Sequence, residues 1–540
     1  MTAIVMGAYL PRLGDRIPSP HRLFDPPLQA FLIGWDWHAL TTAPGTLFNP
    51  PIFHPETRTL TYMDSMIGET LLAAPVLAAR GSIAAAYNFV LLASFALSAW
   101  GAYRLTRLFS VSRPGAFLAG LFFGFCPYRF ANLDLLNQLQ TQFLPWGIFF
   151  AVRLARRGRP RDAAGTLAMV AAQVYFGWYY AYYLAIATAI TLFVARIGRV
   201  GTAHPIRWRA LALATLIALI AVAPVVVPYV LQRTAEHGLH RTLGESALYS
   251  ADLLDYVRTN PGSLAARLPW AVTGSHSYWP GLIAVAFCLM GILAAWRGRD
   301  RLAAIPVALA GSGFVLSLGP ILHLAGRAIP IPLPYALLYY VVPGVSGMRA
   351  PARFAVLVAL GVAVLAGIGY ERSLPLLRVR SHRRILTLAL VLLVVVGDVY
   401  RPAPGLPLPN QDTIAPIYRR LAATPGTDPV LEIPVPATEA DENVTHALRQ
   451  YALLGHGRPR LDGVSGFVTP RYREFRRIVQ SFPARDALTA AKSFGARWVI
   501  VHYGDYAPER RADLGRRVAA EPGLESIARE GSDVLYRLSL

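Results

Sequence analysis

The chain has 540 residues, 54% of them hydrophobic and only 15% charged, with a formal net charge of +21 and a mean hydropathy of +0.40. That is too apolar for an ordinary globular protein and too evenly apolar for a soluble protein on one anchor, so an integral membrane protein with an attached soluble part is expected. In a soluble chain the positive charge would point to nucleic acid; here about twenty arginines fall in short loops between apolar runs, where topology and anionic headgroups account for them, and nucleic acid is set aside as a partner.

The outermost N-terminal part, residues 1–81, is rich in aromatic and ionisable groups: Phe24-Asp25-Pro26-Pro27, then Trp35-Asp36-Trp37-His38-Ala39-Leu40, then Phe48-Asn49-Pro50-Pro51-Ile52-Phe53-His54-Pro55. Apolar residues recur at helical spacing from Leu28 to Leu40, which predicts short helices lying in the membrane interface. Asp25 is held by two following prolines, and Asp36 and Glu69 stand in apolar surroundings. A rigidly held carboxylate suits a general base. Asp25 before Pro26 equally fits a helix cap, and Asp36 equally fits a cap or a local ion pair.

Residues 82–400 form the transmembrane part. Apolar runs at about 82–106, 114–128, 139–155, 162–177, 179–195, 208–231, 280–296, 302–319, 350–370 and 384–400 predict about ten spans. Arginine clusters (Arg104/Arg107/Arg113, Arg153 to Arg161, Arg196 to Arg209, Arg297/Arg299/Arg301 and Arg372 to Arg384) occupy every second gap, so all of them fall on the cytoplasmic side without conflict. The N-terminal segment, residues 129–138, 232–279 and 320–349, and everything after 400 are then extracytoplasmic. Nothing before residue 65 is long enough to anchor it, so either the first span translocates this segment or the sequence continues upstream of Met1, and the second is the expectation. Prolines 320, 330, 332, 334 and 343 break residues 320–349 into pieces, which predicts a cavity wall.

Arginine on the outer side runs against topological bias and needs a local reason. Arg129, in Cys126-Pro127-Tyr128-Arg129-Phe130, and Arg349 and Arg353, in Gly347-Met348-Arg349-Ala350-Pro351-Ala352-Arg353-Phe354, are candidates for holding an anionic headgroup, with a buried ion pair as the alternative. Tyr175, Tyr179, Tyr180, Tyr182 and Tyr183 read first as an interfacial belt and second as a sugar-stacking surface. Cys126 and Cys288 carry no disulfide or zinc spacing, and no metal ligands are assigned.

Residues 401–540 begin with a proline-rich linker and continue as a predicted extracytoplasmic α/β domain. Strands are expected at 429–434, 497–502 and 533–540 and helices at 486–494 and 510–520.

The outward Asp-Pro segment, the WDWHAL helix, the LFNPPIFHPETRTLTY loop, the FCPYRFANLDLLNQLQTQFLPW and LPYALLYYVVPGVSGMRAPARF stretches and the C-terminal part together resemble bacterial polytopic proteins of the GT-C glycosyltransferase superfamily, in an uncharacterised branch grouped with mannosyl- and arabinosyl-type transferases. The resemblance implies an α-helical, GT-C-like protein of the bacterial inner membrane and an inverting transfer of a sugar from a polyprenyl-phosphate donor to an extracytoplasmic acceptor. It implies an aspartate in the first outward loop as base, matched best by Asp25 with Asp36 as alternate, and basic residues on the lipid phosphate. His38, His54, Glu69, Arg129, Arg349 and Arg353 are the candidate substrate-binding groups; a divalent metal is left open. The sequence departs from the superfamily pattern in lacking the usual first transmembrane helix and the adjacent Asp-Glu pair of the protein mannosyltransferase branch. Beside the enzyme stand two other readings, a transporter or flippase of an amphipathic substrate and a non-catalytic envelope assembly protein.

Overall fold

The structure, a computed structural model, describes residues 11–21, 23–201, 208–235, 241–259, 265–267, 269, 272–273, 278–373, 385–386, 389–390, 404–410 and 413–539. The span expected at 384–400 lies almost wholly outside them. The chain divides into two compact units, one containing Val90–Val226 and Leu239–Ala403, the other Pro11–Phe89, Val227–Gly238 and Pro404–Leu540.

The first unit is helical. Apolar runs become helices at Arg113–Gly124, Phe143–Arg157, Pro160–Phe176, Trp178–Ile197, Leu282–Gly298, Ala304–Ser317 and Ala355–Ser373. Their ends carry the punctuation expected of them: proline in the first turn of Arg113–Gly124 and Pro160–Phe176, and left-handed Gly158 closing Phe143–Arg157. Ala355–Ser373 is buried from Ala355 to Tyr370, because it is apolar on every side and is packed by Arg113–Gly124, Leu282–Gly298 and Ala304–Ser317. Glycines permit one of those contacts. A Cβ at Gly369 would lie 1.9 Å from the Phe287 carbonyl oxygen and one at Gly291 would lie 2.2 Å from that of Leu365, so two helix backbones touch directly, as small residues allow in membrane packing.

Four described helical stretches are long and apolar enough to cross a membrane: Ile83–Phe109, Trp178–Ile197, Trp208–Arg233 and Pro351–Ser373. Leu282–Gly298 and Ala304–Ser317 are apolar but shorter. Trp208–Arg233 leaves Leu213, Leu216, Ile217, Leu219 and Ile220 exposed, the surface of a lipid-facing helix. Residues 320–349 fold as an antiparallel hairpin, Ile321–Leu324 with Arg327–Pro332, followed by the short helix Tyr335–Val341.

The second unit holds a four-stranded sheet ordered Val430–Ile433, Trp498–His502, Asp533–Leu538, Leu524–Glu530, parallel in its first pair and antiparallel in the others. The two parallel strands are buried along their whole length, as expected of mainly apolar runs, here broken by Glu432 and His502. The three expected strands and both expected helices, seen at Arg485–Ser493 and Pro508–Ala519, are present. The edge strand Leu524–Glu530 (LESIARE) was not expected, because its charged residues hide the alternation.

Residues 11–89 belong to this same unit. The helix Asp25–Thr42 buries twelve of its eighteen residues against Val444–His456 and Ile67–Ala78, a core helix where an interfacial one was expected. Its apolar residues occupy all faces, which favours enclosure over lying on a surface. Arg16–Pro18 pairs with Gly405–Pro407, and the backbone of His54 donates to the Arg460 carbonyl at 2.9 Å.

Candidate functional site

The sequence-selected residues of the second unit fall into three environments. Asp25 is the first residue of its helix, with Phe24 at the cap position, no side-chain capping bond, and Pro26 and Pro27 fixing the first turn. It remains half-buried, and a carboxylate there is favoured by the helix dipole. His38, a turn from the end of the same helix, is exposed beside the Trp35 ring, 5.9 Å between centroids. His54 is half-buried next to Gly495, and burial holds its imidazole below its usual pKa.

Asp36 and Glu69 are brought together inside the unit, both completely buried. Among the described residues none of their four carboxylate oxygens has a side-chain partner, and the neighbouring Thr70 hydroxyl is likewise unpartnered. Burial pushes both carboxyls well above their normal range. The Met66 backbone amide opposes this weakly at Asp36, while Asp36 and Asp64 push Glu69 further. Asp36 is thus enclosed, in contrast to the half-buried Asp25.

A second buried acidic cluster, absent from the sequence reading, lies under the sheet. Glu432 accepts from the Tyr418 hydroxyl at 2.8 Å, and faces Arg460 Nε and His502 Nε2, each at 3.1 Å. Arg460 also grips Asp462 at 2.8 Å, and His502 Nδ1 faces Asp533 at 3.0 Å. Burial raises the Glu432 carboxyl, but Arg460 and His502 outweigh it and hold Glu432 below the ordinary range. Burial likewise lowers His502, and its two carboxylate partners reverse the sign. The only sequence signal was Glu432 inside the apolar run PVLEIP.

In the first unit, Arg129 is fully buried. Its guanidinium donates to Ser94 and Ser98 at 3.0 and 3.1 Å and to Thr141, and lies 4.4 Å over the Phe95 ring. No carboxylate pairs with it among the described residues. Hydroxyls that satisfy the donors without neutralising the charge leave a cation held in place.

Arg349 and Arg353 stand on tyrosines. Arg349 lies over the Tyr249 ring at 4.5 Å and Arg353 over the Tyr179 ring at 4.2 Å. With its amide oxygen turned toward Arg353, Gln138 accepts from Nε at 3.2 Å and Nη2 at 2.7 Å while its NH2 donates to Asn132. The tyrosine run of the sequence has a specific task here. Tyr179 accepts from the Arg349 backbone at 2.8 Å, Tyr182 donates to the Pro343 carbonyl at 2.8 Å, and Tyr183 donates to that of Ala350 at 3.3 Å, so three tyrosines of one helix fasten the arginine loop. Arg241, which the sequence reading passed over, is electrostatically coupled to Arg349 and paired to Glu245 at 2.8 Å. Its place in residues 232–279, which the sequence leads one to expect outside, was the available signal.

Among the described residues, no group of three or more His, Cys, Asp or Glu could hold a metal ion. No protein-family model and no curated protein matches the sequence. Solved structures do match in fold. Arabinofuranosyltransferase AftD from Mycobacteria aligns over 97% of this chain and 38% of its own, with a TM-score of 0.57 and 16% identity. Over that aligned part the chain shares the fold of this arabinofuranosyltransferase. ArnT from Cupriavidus metallidurans aligns over 97% of this chain and 94% of its own at 12% identity and TM-score 0.47, and the archaeal oligosaccharyltransferase AglB from Archaeoglobus fulgidus over 97% and 71% at 12% and 0.46. The chain thus spans about two-fifths of AftD, the glycosyltransferase it matches at the higher TM-score.

Proposed function

We propose that this chain is an inverting glycosyltransferase that moves a sugar from a polyprenyl-phosphate donor to a hydroxyl-bearing acceptor outside the cytoplasm, in a bacterial inner membrane. The observation that carries the reading is the set of guanidinium groups gathered among tyrosines: Arg349 over the Tyr249 ring, Arg353 over the Tyr179 ring, and Arg241, paired to Glu245, beside Arg349. Such a cluster suits a phosphate monoanion or dianion, since the guanidinium fork matches phosphate oxygens in pairs. The fold and the outward arginines of the sequence support the same assignment, and the proposed layout is an N-terminal segment to residue 81, a transmembrane part to 400 and an extracytoplasmic C-terminal part.

In the proposed step the acceptor hydroxyl attacks the anomeric carbon from the face opposite the lipid phosphate. The carbon–oxygen bond to phosphate breaks, the lipid monophosphate leaves with that electron pair, and the hydroxyl proton passes to a carboxylate base, the role that the sequence resemblance proposes for Asp25. Arg349 and Arg353 stabilise the charge that grows on the departing phosphate, an electrostatic contribution available before the bond breaks. Asp25 is preferred to Asp36 because only Asp25 retains exposure. Arg129 is assigned to holding the cluster's surroundings, since both of its Nη groups are engaged by hydroxyls; His38 and His54 are assigned to the acceptor side, and Glu69 to the buried pair.

The test uses undecaprenyl phosphate as probe, titrated into purified protein and followed by native mass spectrometry. Arg349→Lys with Arg353→Ala is expected to weaken retention by about ten- to a hundredfold, because lysine keeps charge but not the fork. Retention equal to wild type would remove both arginines from the donor site.

A further inference from the structure

The described part of the first unit contains two contiguous open recesses at a helix-end edge rich in arginine, of about 610 and 550 Å3, sharing Arg299, Asp300 and Arg301. One is lined by Trp296 and Arg297 as well, the other by Arg156, Arg199 and Gly201. Four guanidinium groups from three separate segments, Arg156, Arg199, Arg299 and Arg301, meet one carboxylate there. That carboxylate is engaged elsewhere: Asp300 accepts from the Leu302 backbone at 3.0 Å, and it makes no ion pair with the arginines among the described residues.

Topological bias explains why arginines occur in these loops. It does not explain their convergence, which the backbone imposes. Gly201, at φ +109°, is pressed against the end of Phe143–Arg157: a Cβ there would lie 2.3 Å from the Ala155 carbonyl oxygen and 2.8 Å from Arg156 Cα. This contact brings the Arg199 turn to Arg156. Gly198 lies beside Arg301, 3.9 Å from its Cβ to an added Cβ. Arg199 and Arg299 both adopt left-handed backbone, at φ 49° and 50°, a conformation that side-chain-bearing residues avoid.

The flank is apolar. Trp296 is 77% exposed, Ile197 and Phe193 each 66%, and Leu289 and Leu293 are exposed on the same helix as Trp296. Charge beside uncovered apolar surface, with an indole between them, fits a molecule with an anionic head and acyl chains; a soluble anion would leave the flank without a partner.

We infer that this recess binds the headgroup of an anionic phospholipid of the leaflet it faces, and that a phospholipid with two phosphodiesters fits its charge best. The site is separate from the proposed donor cluster in every residue, so it stands whether or not the transferase reading does.

Full-length protein in phosphatidylcholine nanodiscs, titrated with tetraoleoyl cardiolipin, is expected to gain thermal stability, with no gain from further phosphatidylcholine or from inorganic pyrophosphate. In Arg199→Gln/Arg299→Gln/Arg301→Gln the cardiolipin concentration for half effect should rise on the order of a hundredfold, as three surface arginines each contribute to anionic-lipid attraction. A wild-type response in that variant would overturn the site, and an equal response to pyrophosphate would overturn the lipid as ligand. A second measurement needs no arginine variant. Cardiolipin with brominated chains should quench wild-type fluorescence more than that of Trp296→Phe, and equal quenching would overturn the proposal.

Discussion

The two buried acidic clusters of the second unit solve one problem in opposite ways. Among the described residues Asp36 and Glu69 have no cation and no donor side chain, and burial raises both carboxyls well above their usual range. Glu432 and Asp462 are equally sealed but keep Arg460 and His502 against them, and Glu432 remains ionised. Burial by itself therefore says little about function, because what decides the charge state is the partner brought by the rest of the fold. Asp25 belongs to neither class. It keeps partial exposure, and so keeps access.

The contrast can be broken most severely at Arg460. Arg460→Met leaves two buried carboxylates facing each other, and is expected to cost about 3–5 kcal/mol in denaturant or thermal unfolding of the detergent-solubilised protein. Little change would mean that the network is slack and that pairing does not distinguish the clusters.

Asp25→Asn comes next. If Asp25 accepts the acceptor's proton, turnover measured with a polyprenyl-phosphate sugar should fall by about a hundredfold, equivalent to about 2.7 kcal/mol of barrier, while the melting temperature stays within a degree or two of wild type. A fully active variant would return the role to another carboxylate.

Asp36→Asn tests the unpaired cluster through its pH dependence. The folded carboxyl is raised above its unfolded value of 3.8, so its contribution is fully present below that pH and is lost as pH rises toward the folded pKa. Removing the group should leave stability nearly unchanged at pH 4 and raise it by about 1 kcal/mol at pH 8, with turnover preserved. Glu432 has the reverse sign: depressed below 4.5, it stabilises above that value and is lost as pH falls through the folded pKa. A loss of stability in Asp36→Asn that grows with pH would contradict the raised carboxyl.

The smallest effect is expected at His502. Its folded pKa is raised above 6.5, so its stabilisation is complete below 6.5 and is lost as pH rises through the folded value. His446 and His456, both lowered to about 4, titrate with the opposite sign, and Glu442, raised to about 8, adds a further loss between 4.5 and 8. The quantity to read is therefore the difference between wild type and His502→Gln across pH 5 to 9. It should be about 1 kcal/mol at pH 5 and shrink at higher pH. A flat difference would detach His502 from the acidic network.

Sequence was a good guide wherever the physics is local. Runs such as Ala355–Ser373 and Trp178–Ile197 must be helices in a lipid setting because their backbone groups have no other partner, and Val430–Ile433 and Trp498–His502 are legible as buried strands because most of their side chains are apolar. Arg349 and Arg353 stood out for the same reason: a charge against the expected topological bias is visible in one dimension. Tyr179, Tyr182 and Tyr183 were visible as a cluster, but their grip on the loop from Pro343 to Ala350 spans more than 160 residues of chain.

Only the tertiary structure decided which charges have partners. Asp36 and Glu69 are thirty-three positions apart, Glu432 and His502 seventy, and nothing in either local sequence says that the first pair meets no cation and the second does. The same holds for the helix from Asp25, whose apolar faces are covered by a helix more than four hundred residues later, Val444–His456. Periodicity records that a side chain must be buried. The neighbour that buries it, and with it the charge of every carboxylate enclosed alongside, is fixed by contacts between segments far apart in the chain.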